Sequence, residues 1–182
     1  ADVKIAVDAL GSAKKPVLFV GEGVLYANAT EELKTFAEKA NLPVVTTLKA
    51  KGAFPENHPL SVGVRGDHVV KYLNDSDLIF AVGASLSPGR FGHGVPDPTN
   101  KTIIQCNIDE FDVNRLYETT HAIIGDAKDT LKSLIAVLAG TSSTRADVTD
   151  SVQTEKENGT KVYREAMASD DKPINPYRVY SE

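Results

Sequence analysis

The sequence predicts an α/β fold: an open, doubly wound, mainly parallel sheet of six strands with helices on both faces. Three observations predict it. Short apolar runs alternate along the chain with stretches of helical spacing. The connections are long enough to cross over, so neighbouring runs pair in parallel. Two of the runs, Val17-Leu18-Phe19-Val20 and Leu78-Ile79-Phe80-Ala81-Val82, are apolar without alternation, as strands covered by helices on either side are.

The elements follow in order. Val3, Ala6, Val7 and Leu10 recur at i, i+3, i+4 and i+7, which opens the chain on a helix that Gly11 stops. Lys14, Lys15 and Pro16 lead into the first strand, and the turn Gly21-Glu22-Gly23 follows it. Asn28 is expected to cap the next helix, with Glu31 completing a capping box. Leu33, Phe36, Ala37 and Ala40 form that helix's buried stripe, and Asn41 and Pro43 end it. Val44, Val45, Thr46 and Thr47 are β-branched and form the second strand. The loop from Leu48 to His58 is longer than most crossover loops, which points to function.

Leu60 to Val64 form a short third strand. Asp67 is expected to cap a helix carrying Val69, Val70 and Leu73, and Asp77 introduces the fourth strand, which ends at Gly83. Ser85 to Asn100 contains three glycines and three prolines, so it is expected to have no regular structure. Lys101 to Asn107 form the fifth strand, leading to Asp109. Ala122-Ile123-Ile124 form the sixth, ending at Gly125-Asp126. A helix with Leu131, Leu134, Ile135 and Leu138 on one face follows, closed by Gly140. Residues 1–140 are thus the sheet domain. Residues 141–172 are expected to be a polar linker and a weakly packed helix. Residues 173–182, PINPYRVYSE, begin a new pattern, which predicts that the chain continues in a longer protein.

The composition narrows the function classes. With 182 residues and 41% hydrophobic content, the chain can bury one full core. Its net charge is -5 with acidic and basic residues interspersed, so no basic stripe is offered to nucleic acid. No apolar run approaches the roughly 20 residues needed to cross a bilayer. Lys4 and Asp8 interrupt the only apolar N-terminal segment, so no signal peptide is expected, and the expected location is cytoplasmic. The single Cys106 lies in an apolar run and reads as a buried strand cysteine.

Four strand ends carry residues suited to a ligand: Gly21-Glu22-Gly23, Thr47-Leu48, Gly83-Ala84-Ser85 and Asp109. Ligands of open parallel sheets bind beyond that end of the strands. Glycine there lets a ligand approach the backbone, and a carboxylate accepts hydrogen bonds from ribose hydroxyls. Arg65 and Arg90 lie in loops over the same edge, where they could pair with a diphosphate. Each feature has a structural alternative. The glycines can serve a tight turn, since Tyr26 stands where the third glycine of a G-x-G-x-x-G fingerprint would be. Asp109 and Asp126 can cap the turns that follow them, and surface arginines are usually solvated. His58, flanked by Asn57 and Pro59, reads as a loop hydrogen-bond partner rather than a base. His58, His68, His93 and His121 share no metal spacing. No catalytic and no metal-binding residue is assigned.

The segments PVLFVGEGV, LPVVTTLKAKGAFPENHPLSVGVRG, DLIFAVGASL and IIQCNIDEFDVNRLYETTHAIIGDAKDTL resemble the central domain of thiamine-diphosphate-dependent enzymes of the acetolactate synthase type. The tail resembles the entry into the next domain of those enzymes. The resemblance implies a Rossmann-like sheet lying between an N-terminal pyrimidine-binding domain and a C-terminal diphosphate-binding domain, in a homodimeric or homotetrameric parent. Thiamine diphosphate and magnesium would sit between those two outer domains, and the family decarboxylates 2-oxo acids and often joins the product to an acceptor. The catalytic glutamate and the metal motif belong to the outer domains, so this chain alone is expected to be inactive.

In this family the central domain holds FAD, an ADP-type nucleotide, or nothing. Carried across by motif, the nucleotide contacts would fall on Gly21, Gly23, Thr47, Leu48, Val64, Arg65, Gly83, Ala84, Ser85, Asp109, Asp126 and Ala127, with Arg90 as a further counterpart. Two departures stand out: Glu22 where acetolactate synthases usually have a glycine, and LSPGRFGHG where they have an acidic pair before an arginine. A structural domain with a vestigial pocket and a free-standing nucleotide-binding protein remain as alternatives. So does an acyl-CoA-handling member of the family.

Overall fold

The computed structural model describes residues 2–87, 94–139 and 146–181. Its strands are β1 (Pro16–Val20), β2 (Val44–Thr46), β3 (Ser61–Gly63), β4 (Leu78–Val82), β5 (Thr102–Asn107) and β6 (His121–Ile124). They form one sheet in the order β3-β2-β1-β4-β5-β6, and every neighbouring pair is parallel. The chain winds outward from β1 to β3, then returns to lay β4 against the other side of β1. The strand order therefore reverses between β1 and β4, and a crevice opens beyond their C-terminal ends.

The helices are α1 (Asp2–Ser12), α2 (Gly23–Tyr26), α3 (Thr30–Ala40), α4 (Asp67–Asp75), α5 (Ala127–Leu138), α6 (Thr149–Met167) and α7 (Pro176–Ser181). They divide between the two faces as the side-chain alternation of the strands requires. Leu18 and Val20 of β1 join the core with α1, α3 and α5. Val17 and Phe19 join the opposite core with Val69 and Leu73 of α4 and Val152 of α6. Among the described residues, all five positions of β1 and of β4 are buried, which is why their sequences show no polar alternation.

Several local expectations are corrected. Asn28 does not cap α3. It adopts a left-handed backbone (φ 50°) between α2 and α3, and the N-cap of α3 is the buried Ala29, with no side-chain cap. The intervening helix α2 is only four residues long, too short for periodicity to reveal. Asp67 does not cap α4 either: Gly66 holds the N-cap position, and Asp67 is the first helical residue. Val70 faces solvent rather than the core. Helix α1 runs through Gly11 to Ser12. Among the described residues of the loop from Ser85 to Asn100, Pro98–Asn100 form a short 3-10 turn; Arg90 and His93 lie outside the described residues.

Among the described side chains of helix α6, Val152 is the one fully buried, and polar groups supply most of the other attachments. Ser151 Oγ and Tyr72 Oη lie 2.7 Å apart, Gln153 Nε2 donates to the Pro59 carbonyl at 3.0 Å, and Lys156 Nζ donates to the Glu56 carbonyl at 2.9 Å. Glu155 pairs with Lys71 of α4. Helix α7 stacks Tyr177 on Tyr163 of α6, with ring centroids 5.0 Å apart.

Candidate functional site

At the crevice, the β1–α2 turn is pressed against the end of β4. Gly21 N–H donates to Val82 O at 2.9 Å, Gly23 N–H to Gly83 O at 3.0 Å, and Gly83 N–H to Cys106 O at 2.9 Å. A Cβ on Gly21 would overlap the Gly83 carbonyl oxygen, and one on Gly23 would lie 2.8 Å from Gly83 Cα. Gly83 itself has φ +59°, a conformation that glycine adopts without strain. These glycines therefore bring two backbones together. Their N–H groups are spent on the sheet and are not free to cradle a phosphate.

Beyond this interlock lies a groove of about 600 Å³, within the range of small-molecule sites. Of the residues expected from sequence, Gly21, Gly23, Thr47, Leu48, Val64, Gly83, Ala84, Ser85 and Asp109 line it. Arg65 is exposed beside Val64 and is not part of the lining. Asp126 is not part of the lining: its Oδ1 accepts from Lys128 N at 2.8 Å and Asp129 N at 3.2 Å, capping α5. Ala127 is buried in the first turn of that helix. Asp109 combines both readings, lining the groove while its Oδ1 accepts from Phe111 N at 3.0 Å.

Sequence reasoning missed the groove's walls. Phe19, Val45 and Leu86 supply apolar surface, and Ser87 and Asn107 supply polar atoms. Phe19 and Val45 are register partners on adjacent strands. They were findable by counting back from the glycine turn along the face opposite α3. Lys49 and Tyr26 were also missed, and they meet at Glu22. Lys49 Nζ lies 3.2 Å from Glu22 Oε1, and Tyr26 Oη donates to Glu22 Oε2 at 3.2 Å.

Among the described residues, no histidine or cysteine lines the groove. His58 bridges Glu38, at 3.1 Å, and the Leu60 N–H, at 3.2 Å, in a structural role away from the groove. Cys106 is fully buried, and burial pushes its thiol up to about 11. Among the described residues, no three His, Cys, Asp or Glu side chains cluster as a metal site would. None of the described helices is long and apolar enough to cross a membrane. A second cavity, of about 200 Å³, lies at the opposite end of the strands between Pro16, α4 and α6. Both its carboxylates are paired within it, Asp75 with Lys15 and Glu155 with Lys71.

Residues 3–134 match the family described as thiamine pyrophosphate enzyme, central domain. The chain belongs to this family. As a thiamine pyrophosphate enzyme central domain it is similar to larger proteins. It is 37% identical over 152 residues to the acetolactate synthase large subunit of Corynebacterium glutamicum, covering 81% of this chain and 24% of that protein. It is 33% identical over 190 residues to a protein of Methanococcus aeolicus named as an acetolactate synthase large subunit, covering 99% of this chain and 32% of that one. The chain thus spans 24% and 32% of the length of these relatives. Among solved structures it is similar to an enzyme from Mycobacterium smegmatis described as thiamin diphosphate-dependent. The TM-score is 0.62 at 26% identity, over 80% of this chain and 28% of that one.

Proposed function

We propose that this chain is the central domain of a thiamine-diphosphate- and magnesium-dependent 2-oxo-acid decarboxylase or carboligase of acetolactate synthase type, and that its groove holds FAD or an ADP-type nucleotide. Thiamine diphosphate supplies the electron sink for cleaving the 2-oxo acid, and this chain contributes no group to that step. Its work in the cytoplasmic parent, a homodimer or homotetramer, is to orient the N- and C-terminal domains and to seat the nucleotide. Alone it is inactive.

The observation that carries the nucleotide assignment is the groove's place at the reversal of strand order, with a fitting set of groups around it. Phe19, Val45 and Leu86 offer apolar surface for a flat ring. Thr47, Ser85, Asn107 and Asp109 offer partners for ribose hydroxyls, and Lys49 offers a cation for a phosphate. Arg65, exposed at the rim, would meet a ligand that extends past Val64.

Calorimetric titration of the chain with FAD, ADP and coenzyme A tests the assignment. Saturable binding of FAD supports a parent of acetolactate synthase or oxidase type. Binding of ADP and coenzyme A without FAD points to the acyl-CoA-handling branch. Failure of all three, repeated in the full-length parent, rejects a nucleotide site. The second reading, a structural domain with a vestigial pocket, is favoured by one specific observation: the turn's glycine N–H groups are committed to the sheet.

A further inference from the structure

Charge is distributed unevenly around the groove. Among the described residues that line it, Lys49 is the single cation, and Glu22, Asp109 and Asp112 are carboxylates. Asp112 is paired with Arg115 at 3.1 Å, and Asp109 caps its own turn. Glu22 is different, because both its oxygens are engaged by groove residues: Oε1 by Lys49 and Oε2 by Tyr26. The contact runs from the turn after β1 to the turn after β2. It therefore joins the ends of two adjacent strands across one side of the groove.

We propose that Glu22, held by Tyr26, is a charge gate on this groove: it detains Lys49 in the empty state, and a phosphate-bearing nucleotide must take Lys49 from it to bind. The proposal rests on the nucleotide assignment above and names the residues that set its selectivity.

The physical chemistry is that of an exposed ion pair. The Lys49 side chain is 76% exposed and that of Glu22 is 36% exposed, so the pair is screened and opens at little cost. What matters is the charge left behind. Once Lys49 turns to the phosphate, the Glu22 carboxylate stays beside an anion. Like charges at this range oppose each other, and the penalty grows with the number of ionised phosphate oxygens. The turn glycines cannot compensate, since the N–H groups of Gly21 and Gly23 are bonded to β4 and its end. The gate therefore favours ligands with few phosphate charges and leaves uncharged nucleosides untouched. Tyr26 Oη fixes the carboxylate without carrying charge itself.

Calorimetric titration of the 182-residue chain with ADP and with adenosine tests the gate. The variants are Glu22→Gln, Lys49→Gln and Lys49→Arg, each checked for an unchanged far-UV spectrum and melting temperature. Removing the Glu22 charge should tighten ADP about tenfold, and removing the Lys49 charge should weaken it by a similar factor. Lys49→Arg should hold ADP close to the wild-type affinity. Adenosine should respond to none of the three, which separates a charge gate from general damage to the pocket. If ADP binds the wild type and Glu22→Gln leaves its affinity within about twofold, the gate is wrong and the nucleotide site stands. If ADP and adenosine bind neither the wild type nor Glu22→Gln, the gate is overturned, while the nucleotide assignment itself falls only if FAD and coenzyme A also fail in the full-length parent.

Discussion

Two glycine contacts in this domain differ in what they press against. At the reversal of strand order, Gly21 and Gly23 lie against Gly83, backbone on backbone. On the outer face, Gly159 in the middle of α6 lies against the imidazole of His68, which Gly66 flanks from below α4. The first contact is held by hydrogen bonds between the β1–α2 turn and the end of β4 and has nothing that can swing aside. The second meets a side chain that can rotate, and α6 is held around the buried Val152 by polar bonds. Close approach through glycine thus makes a fixed joint beside the candidate site and a yielding one under α6.

Substitutions should separate the two contacts sharply. Gly21→Ala should do the most damage, because its methyl group would overlap the Gly83 carbonyl oxygen and lie 2.5 Å from Ala84 Cα. A loss of about 3 kcal/mol is expected, at the upper end for overpacking, read as the midpoint of urea unfolding. Gly83→Ala combines a φ of +59° with a Cβ 2.7 Å from Val24 N, and should cost on the order of 2 kcal/mol.

Gly159→Ala should fall well below both. Its Cβ would displace the His68 ring, but alanine gains about 1 kcal/mol over glycine inside a helix. In a His68→Ala background the clash is gone and the gain remains, so Gly159→Ala should then raise stability by roughly that amount. If Gly159→Ala costs as much as Gly21→Ala, or if His68→Ala does not relieve it, the two contacts are equally rigid and the comparison fails.

The smallest expected effect is one of pH. Burial holds His68 below its ordinary value of 6.5, and Lys156 pushes it the same way. The Val62 carbonyl, Asp67 and Glu155 oppose this in part, and Nδ1 is buried with no hydrogen-bond partner among the described residues. The unfolded chain therefore binds this proton more readily than the folded one. The stability associated with His68 is complete above its unfolded value and is lost as pH falls through the depressed folded value. Melting curves from neutral pH down to about pH 5 should show the wild type losing slightly more stability than His68→Gln. Equal slopes would mean that the imidazole titrates as if exposed.

The contrast also explains what could be read from sequence. The sheet was legible because β1 and β4 are uninterrupted apolar runs, and because the helices of one face repeat Leu and Phe at helical spacing. The strand-end residues were legible because strand order fixes which end of the sheet carries a crevice. Helix α2 was not, being a single turn whose exit bends through a left-handed Asn28. Nor was the burial of Val152, whose neighbours Ser151 and Gln153 bond to the Tyr72 hydroxyl and the Pro59 carbonyl far away in the chain. The glycine pair was half legible. Its spacing is that of a phosphate loop, but whether an N–H points at a ligand or at the next strand depends on a partner, Gly83, sixty positions away in sequence. Asp126 likewise stands at a strand end and spends its carboxylate on α5. The Glu22–Lys49 pair needed the adjacency of β1 and β2 before its two charges could be seen to meet.

The most direct check on the groove is to follow the backbone amide resonances of isotope-labelled chain while ADP is added. Shifts gathered on Leu48, Lys49, Val64, Ala84, Ser85 and Asn107, with α4 and α6 silent, are the expected result. Saturating ADP that moves none of these amides, or that moves those of α4 and α6 instead, would contradict a nucleotide site at the end of β1 and β4.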